Sequence, residues 1–272
     1  MPTSDHSVET SPLASGDAPR LPLEPMDPGL KSVQPGGGVI VHWELFWGRL
    51  RRWYLKTCRS SYVARMRELR QGPDPVPEFE VLDPRDLKFI RNQVDCFWHT
   101  HDDPFTWRDR IPFARPGLAE LLVFSLTFFG GAALVAFFAT QLDGVWSVLC
   151  ELVAAASAIV GILIVWFFRD PVRPIPTGEH LVVSPADGKV VTVETIEHDE
   201  FIGGRAVLIG IFLSIFNVHI NRSPTSARVI GLGYDPGKYL NALRPESARE
   251  NERLTVRIEQ NSFPHRRMVV RQ

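Results

Sequence analysis

The spacing of apolar residues changes along this chain, and each change marks a new kind of element. Between Val39 and Arg70, residues Trp43, Phe46, Trp47, Leu50 and Tyr54 recur three to four positions apart, the period of an amphipathic helix. Gly117–Ala139 and Trp146–Phe168 follow as two runs of 23 residues, each with one charge, Glu120 in the first and Glu151 in the second. Both are apolar on every side and reach the ~20 residues that cross a hydrocarbon core, which predicts two transmembrane helices. The link Gln141–Val145 is too short for a soluble excursion between them. Beyond Pro171, Pro174 and Pro176 the apolar segments shorten, with Gly, Pro and Asp between them. They predict strands at Leu181–Val183, Val190–Ile196, Val207–Leu213, Phe216–Asn221, Arg228–Tyr234, Leu254–Ile258 and Met268–Val270. The expected fold class is α+β: a membrane-anchored, helical N-terminal part with two transmembrane helices, then a mostly antiparallel β domain. The strand Met268–Val270 is expected to lack a partner, and the reading frame is expected to continue past Gln272.

Prolines and small polar residues divide the rest. Residues 1–38 hold seven prolines and almost no apolar period, the composition of a disordered tail. They show no basic segment followed by an apolar one that would mark a secretory signal. Pro73, Pro75 and Pro77 end the first helix, and Asp83-Pro84-Arg85-Asp86 then offers a cap and a first-turn proline for a short helix from Pro84 to about Val94. The domains expected are a tail at 1–38, a basic amphipathic and short helical region at 39–116, a two-span hairpin at 117–169 and a β domain at 170–272.

A net charge of -1 gives no reason to expect a nucleic-acid partner, but the charge is unevenly spread. Eight basic residues accompany one acid, Glu68, between Arg49 and Arg70. The first helix therefore reads either as a membrane-surface helix, with aromatics in the interface and arginines on anionic headgroups, or as a helix packed on another part of the protein. Arg108, Arg110 and Arg115 precede the first span, Arg169 and Arg173 follow the second, and the turn offers only Asp143. The positive-inside rule then predicts a multi-pass protein of the inner membrane with both flanks in the cytoplasm. Cys58, Cys96 and Cys150 are odd in number and show no paired spacing, which points to a reducing compartment rather than a disulfide framework or a cysteine zinc site. His99-Thr100-His101-Asp102-Asp103 has metal-capable side chains but no distant partners, and no metal is expected there.

Candidate chemistry lies in the β region. Val207–Leu213 is interrupted only by Gly210, as in a strand buried on both faces. From Phe216 the period becomes two, with Phe216, Val218 and Ile220 on one face and Asn217, His219 and Asn221 on the other. By pattern alone His219 is either an incidental surface histidine on a half-solvated strand or a site residue beside two amides. Phe216–Pro224, reading FNVHINRSP, resembles the catalytic histidine motif of the phosphatidylserine decarboxylases. Ser184–Gly188, reading SPADG, resembles that family's aspartate-bearing turn. Pro236–Ala242 followed by Asn251-Glu252-Arg253 resembles its loop after the histidine, and the three stand in the family's order between Arg169 and about Gln272.

The resemblance implies a carboxy-lyase of phospholipid biosynthesis, converting phosphatidylserine to phosphatidylethanolamine and carbon dioxide. It implies a zymogen that cuts its own Gly-Ser bond, the serine becoming a pyruvoyl group that acts as electron sink. His219 matches the general base of the cleavage and Asp187 the carboxylate that orients it, although Pro185-Ala186-Asp187-Gly188 is also a good β-turn by composition. The partners implied are phosphatidylserine, membrane lipid and the chain's own C-terminal pyruvoyl subunit. Two features depart from the family. None of the 20 glycines is followed by serine, so the pyruvoyl-forming serine is absent and the 272 residues alone are expected to be inactive. The place three before His219, a second histidine in some relatives, is Phe216. A non-catalytic membrane scaffold stays open for that reason. A lipoyl- or biotinyl-type carrier bearing Lys189 is weaker, because no hairpin surrounds that lysine.

Overall fold

The computed structural model describes residues 20–25, 27, 38–71, 82, 98–176, 178, 181–242, 244 and 246–272. The short helix expected from Pro84 lies outside these residues. The expected single helix over 39–70 is two: α1, Val39–Cys58, and α2, Ser60–Leu69. Arg59 leaves helical geometry at φ -134°, ψ 40°, and the bend lets Val63 fold back onto Leu55 in a small cluster with Leu82 and Tyr62. At the end of α2, Arg70 N–H turns to Arg67 O, and the Trp98 indole N–H donates to the Met66 carbonyl at 2.9 Å.

The two apolar runs are helices α3, Leu118–Ala139, and α4, Val145–Phe167, each long and apolar enough to cross a membrane. They pack as an antiparallel hairpin through small residues. Ser157 Oγ donates to Phe128 O at 2.9 Å and Ser147 Oγ to Ala139 O at 3.0 Å. Gly161 faces the Phe129 ring so closely that a Cβ there would lie 2.9 Å from it. The open end of the hairpin is clipped by backbone: Phe113 bridges Arg169, Ala114 N–H donates to Phe168 O, and Asp170 N–H donates to Pro112 O, both at 2.8 Å. Entry and exit of the pair are thereby side by side.

The β region forms two antiparallel sheets. Strands β1, Lys189–Asp199, and β2, Gly204–Phe212, make a hairpin whose turn is closed by Asp199 Oδ1 accepting from Phe201 and Ile202 N–H at 3.0 Å each. Strands β3, Ala227–Asp235, β4, Arg253–Gln260, and β5, Arg267–Arg271, form the second sheet in the order β3-β4-β5. Five of the seven expected strands appear, longer than their apolar cores; Phe216–Asn221 forms none, and two other expectations fail. Leu181–Val183 is extended but joins no sheet. Met268–Val270 has a partner after all, since β5 pairs with β4 from Thr255↔Arg271 to Glu259↔Arg267.

The segment 20–27, expected inside a disordered tail, runs over β3 and β4 at its described residues. Glu24 N–H donates to Ile230 O at 2.8 Å, where the β3 bulge frees that carbonyl from the ladder. The Glu24 carboxylate accepts from Arg257 Nε at 2.7 Å, and Asp27 Oδ2 accepts from Tyr234 N–H at 2.9 Å. A β3 side chain at Gly231 would overlap the Glu24 carboxylate and have to push it aside, away from its bond to Arg257.

Candidate active site

After β2 the chain turns rather than continuing as a strand. Asn217 N–H donates to Ser214 O at 2.9 Å, while Asn217 Oδ1 accepts from Ser214 N–H and Ser214 Oγ, both at 2.8 Å. An asparagine side chain that satisfies the local backbone competes with ladder pairing, which is why Phe216–Asn221 is a turn and extended segment, not the expected strand. Only part of the alternation survives in burial: Val218 is 0% exposed and His219 faces outward, but Phe216, expected on the same face as Val218, is 64% exposed.

The His219 ring is held from two sides. Its Nε2 lies 2.8 Å from Ser214 O. A carbonyl oxygen only accepts, so this contact assigns the ring proton to Nε2 and leaves Nδ1 as the open nitrogen. Phe167, at the end of α4, packs its ring 4.8 Å from the imidazole at 40°. The same segment is anchored to the hairpin root: Arg169 donates to Phe216 O at 2.8 Å and lies 4.2 Å over the Trp166 ring. Arg222 pairs with Asp170 and donates to Pro171 O at 3.3 Å.

Asp187 stands on the neighbouring turn. Val183 N–H donates to Pro224 O at 2.9 Å and Arg222 N–H to Pro185 O at 2.8 Å, so the SPADG and FNVHINRSP stretches are laced together. The carboxylate itself is paired with Arg173, and the group orienting His219 is the Ser214 carbonyl. Gly188 packs against β2, where a Cβ would meet Phe212 O at 2.5 Å. Lys189 is the first residue of β1, opposite Phe212, far in register from the hairpin tip where a carrier lysine would have to stand.

The third stretch closes the site. Lys238 N–H donates to Glu250 O at 2.8 Å, Glu252 N–H donates to Lys238 O at 3.1 Å, and the Asn251 amide bonds both backbone groups of Leu240. Gly237 touches the backbone of Glu250–Glu252, leaving no room for a side chain. This fixes Glu252, whose Oε2 accepts from Tyr234 Oη at 2.8 Å and Tyr239 Oη at 3.0 Å. The carboxylate holds both phenol protons, pushing Tyr234 up to about 12 and raising Tyr239 above its ordinary value. A cleft of about 600 Å³ joins these parts, walled by the start of α3 with Glu120, the end of α4, His219–Asn221, Tyr234 and Glu252–Leu254.

Comparison with known proteins matches residues 160–272 to the phosphatidylserine decarboxylase family. A phosphatidylserine decarboxylase proenzyme of Rhodopirellula baltica is 44% identical over 186 residues, 68% of this chain and 72% of that protein. The chain belongs to the phosphatidylserine decarboxylase family. Proteins of the same name from Symbiobacterium thermophilum and Amoebophilus asiaticus are 52% identical over 99 residues and 40% identical over 142, and the chain spans 46% and 58% of their lengths.

Within the family region, the sequence marks His219, Asp187 and the loop that carries Glu252 as candidates. It missed Phe167 and Ser214. Phe167 gave no signal, being one more apolar residue of a span, and Ser214 acts through a main-chain carbonyl that any residue would supply. Outside the region, His101 Nε2 pairs with Asp102 at 3.0 Å and the His99 and His101 rings stack at 5.8 Å.

Proposed function

We propose that this chain carries the base and the headgroup cleft of a phosphatidylserine decarboxylase working at the membrane surface. The supporting observation is the place of His219: with its Nε2 held by the Ser214 carbonyl, it lines a cleft formed where both ends of the apolar hairpin meet the family's β domain. The family's pyruvoyl group, when present, would take up the electron pair left by departing carbon dioxide. The residues fit a site of that kind. Nδ1 of His219 would hold the proton of an attacking serine hydroxyl, and Glu252 and Arg253 bring both charge signs to a wall facing a headgroup that carries an ammonium, a carboxylate and a phosphate, net anionic. Asp187 is kept as the proposed orienting carboxylate because two backbone bonds tie its turn to the His219 segment, and in that role it would exchange Arg173 for the ring N–H that the Ser214 carbonyl holds in this structure. The chain has no Gly-Ser bond, so the activity is proposed for the protein in which a segment bearing one reaches this site.

In the same reading α3 and α4 cross the inner membrane with both flanks in the cytoplasm, supported by Arg110, Arg115, Arg169 and Arg173 at the clipped end and only Asp143 at the turn. An impermeant thiol reagent should modify a cysteine at Asp143 in intact cells and spare one at Val172; the reverse pattern refutes the topology. For the chemistry, the chain joined to a Gly-Ser-bearing segment should cut itself and release phosphatidylethanolamine. His219→Ala should lower cutting by about 10²–10⁴-fold. Equal cutting by the variant would return His219 to a surface histidine, and no cutting by the parent would leave the scaffold reading standing.

A further inference from the structure

Helix α1 is turned inside out for a water-facing helix. Val41, Gly48 and Leu55, seven residues apart, form its buried line, whereas Val39, Trp43, Trp47, Leu50, Trp53 and Tyr54 make a continuous stripe on the outer face. Trp43 is 68%, Trp47 58% and Trp53 61% exposed. At about 3.6 residues per turn, Arg49 and Lys56 border one edge of this stripe and Arg51 the other. Helix α1 also packs against α3, one of the two apolar runs.

We propose that α1 is an interfacial docking helix for an anionic phospholipid leaflet, its aromatic stripe among the outer acyl carbons and its bordering cations at the headgroup phosphates. Tryptophan and tyrosine are the side chains suited to that boundary, and basic residues beside an apolar stripe select negative lipid. A second copy of the chain fits the face poorly, because stripe-to-stripe contact would bring the same arginines and lysine against each other. The proposal rests on α3 and α4 spanning the bilayer, since α3 then holds α1 at membrane level. With that reading, α1 would keep the His219 cleft over a leaflet rich in the anionic headgroup it is proposed to consume.

The test uses the full chain, with Cys58, Cys96 and Cys150 replaced by serine, in vesicles of phosphatidylcholine alone or with phosphatidylglycerol. Nitroxides are placed singly at Trp47→Cys and Leu50→Cys on α1 and at Leu152→Cys on α4, and their collisions with oxygen and with a water-soluble nickel chelate are compared. The expected result is an oxygen-dominated signal at all three sites in anionic vesicles. In neutral vesicles the oxygen preference of the α1 labels should fall by about fivefold or more. Nickel-dominated α1 labels beside an oxygen-dominated Leu152→Cys label overturn the docking and leave the spans intact. Nickel-dominated labels at every site overturn both. Labels on α1 shielded from both reagents would mean that protein covers the stripe, and equal oxygen preference in the two vesicle types would overturn the anionic assignment.

Discussion

Each sheet of the β region carries an arginine–glutamate pair on adjacent antiparallel strands, at nearly equal separations. Arg205 and Glu197, on β2 and β1, are 3.6 Å apart, and Arg228 and Glu259, on β3 and β4, are 3.5 Å apart. The side chains of the first pair are 72% and 84% exposed, those of the second 21% and 4%. Water screens the first and competes with it, whereas Glu259 has exchanged its hydration for Arg228 and the Leu21 N–H at 3.0 Å. Distance alone says little about an ion pair, because the alternative available to each charge sets its worth. The same contrast runs through the whole region. The β1–β2 hairpin leaves Val191, Val193, Val207 and Ile209 outward, while the β3–β5 sheet is covered by the strap that includes Glu24 and supports the Glu252 wall of the cleft.

The sharpest way to break this contrast is Arg228→Met, which strands the Glu259 carboxylate. It should lower stability by about 3–5 kcal/mol, read by urea unfolding in detergent and by faster amide exchange in β3 and β4. Adding Glu259→Met should restore most of the loss; a double variant as weak as the single one would mean that the pair does more than neutralise itself. Next in size is Gly237→Ala. Its methyl would lie 2.5 Å from the backbone of Asn251 and Glu252, a conflict expected to cost about 1–3 kcal/mol and to loosen Glu252 in the cleft wall.

A third prediction concerns titration. Folding raises the Tyr234 value to about 12. The stabilisation from its bond to Glu252 is therefore fully present below the unfolded value of about 10 and is lost as pH rises through the folded one. Ultraviolet phenolate absorbance should show Tyr234 ionising near about 12 in the native protein, and Glu252→Gln should return it toward about 10. No change on that substitution would assign the shift to something other than the carboxylate. The smallest effect is expected from Arg205→Ala, at most about 0.5 kcal/mol and fading with added salt. A loss equal to that of Arg228→Met would refute the lesson drawn from depth.

Some of this protein was determined by its sequence alone. Two unbroken apolar runs have one low-energy solution, a helix that satisfies its own backbone, so α3 and α4 were legible to within a residue or two at each end. The strands β1 to β5 were legible as short apolar periods between turn residues, and three short motifs located His219, Asp187 and the Glu252 loop. Tertiary structure alone decided the rest, because it depends on groups far apart in the chain competing for the same partners. The Asn217 amide overrode an alternating pattern that reads as strand. Arg173 took the Asp187 carboxylate, and the Ser214 carbonyl took the His219 ring. Glu24 reached from a proline-rich tail to a carbonyl freed by the β3 bulge, and α1 placed its aromatics outward and its Val41–Gly48–Leu55 line inward. A periodicity shows that a helix has two faces, but which one meets the protein is set by what packs there, and only the fold brings that partner into place.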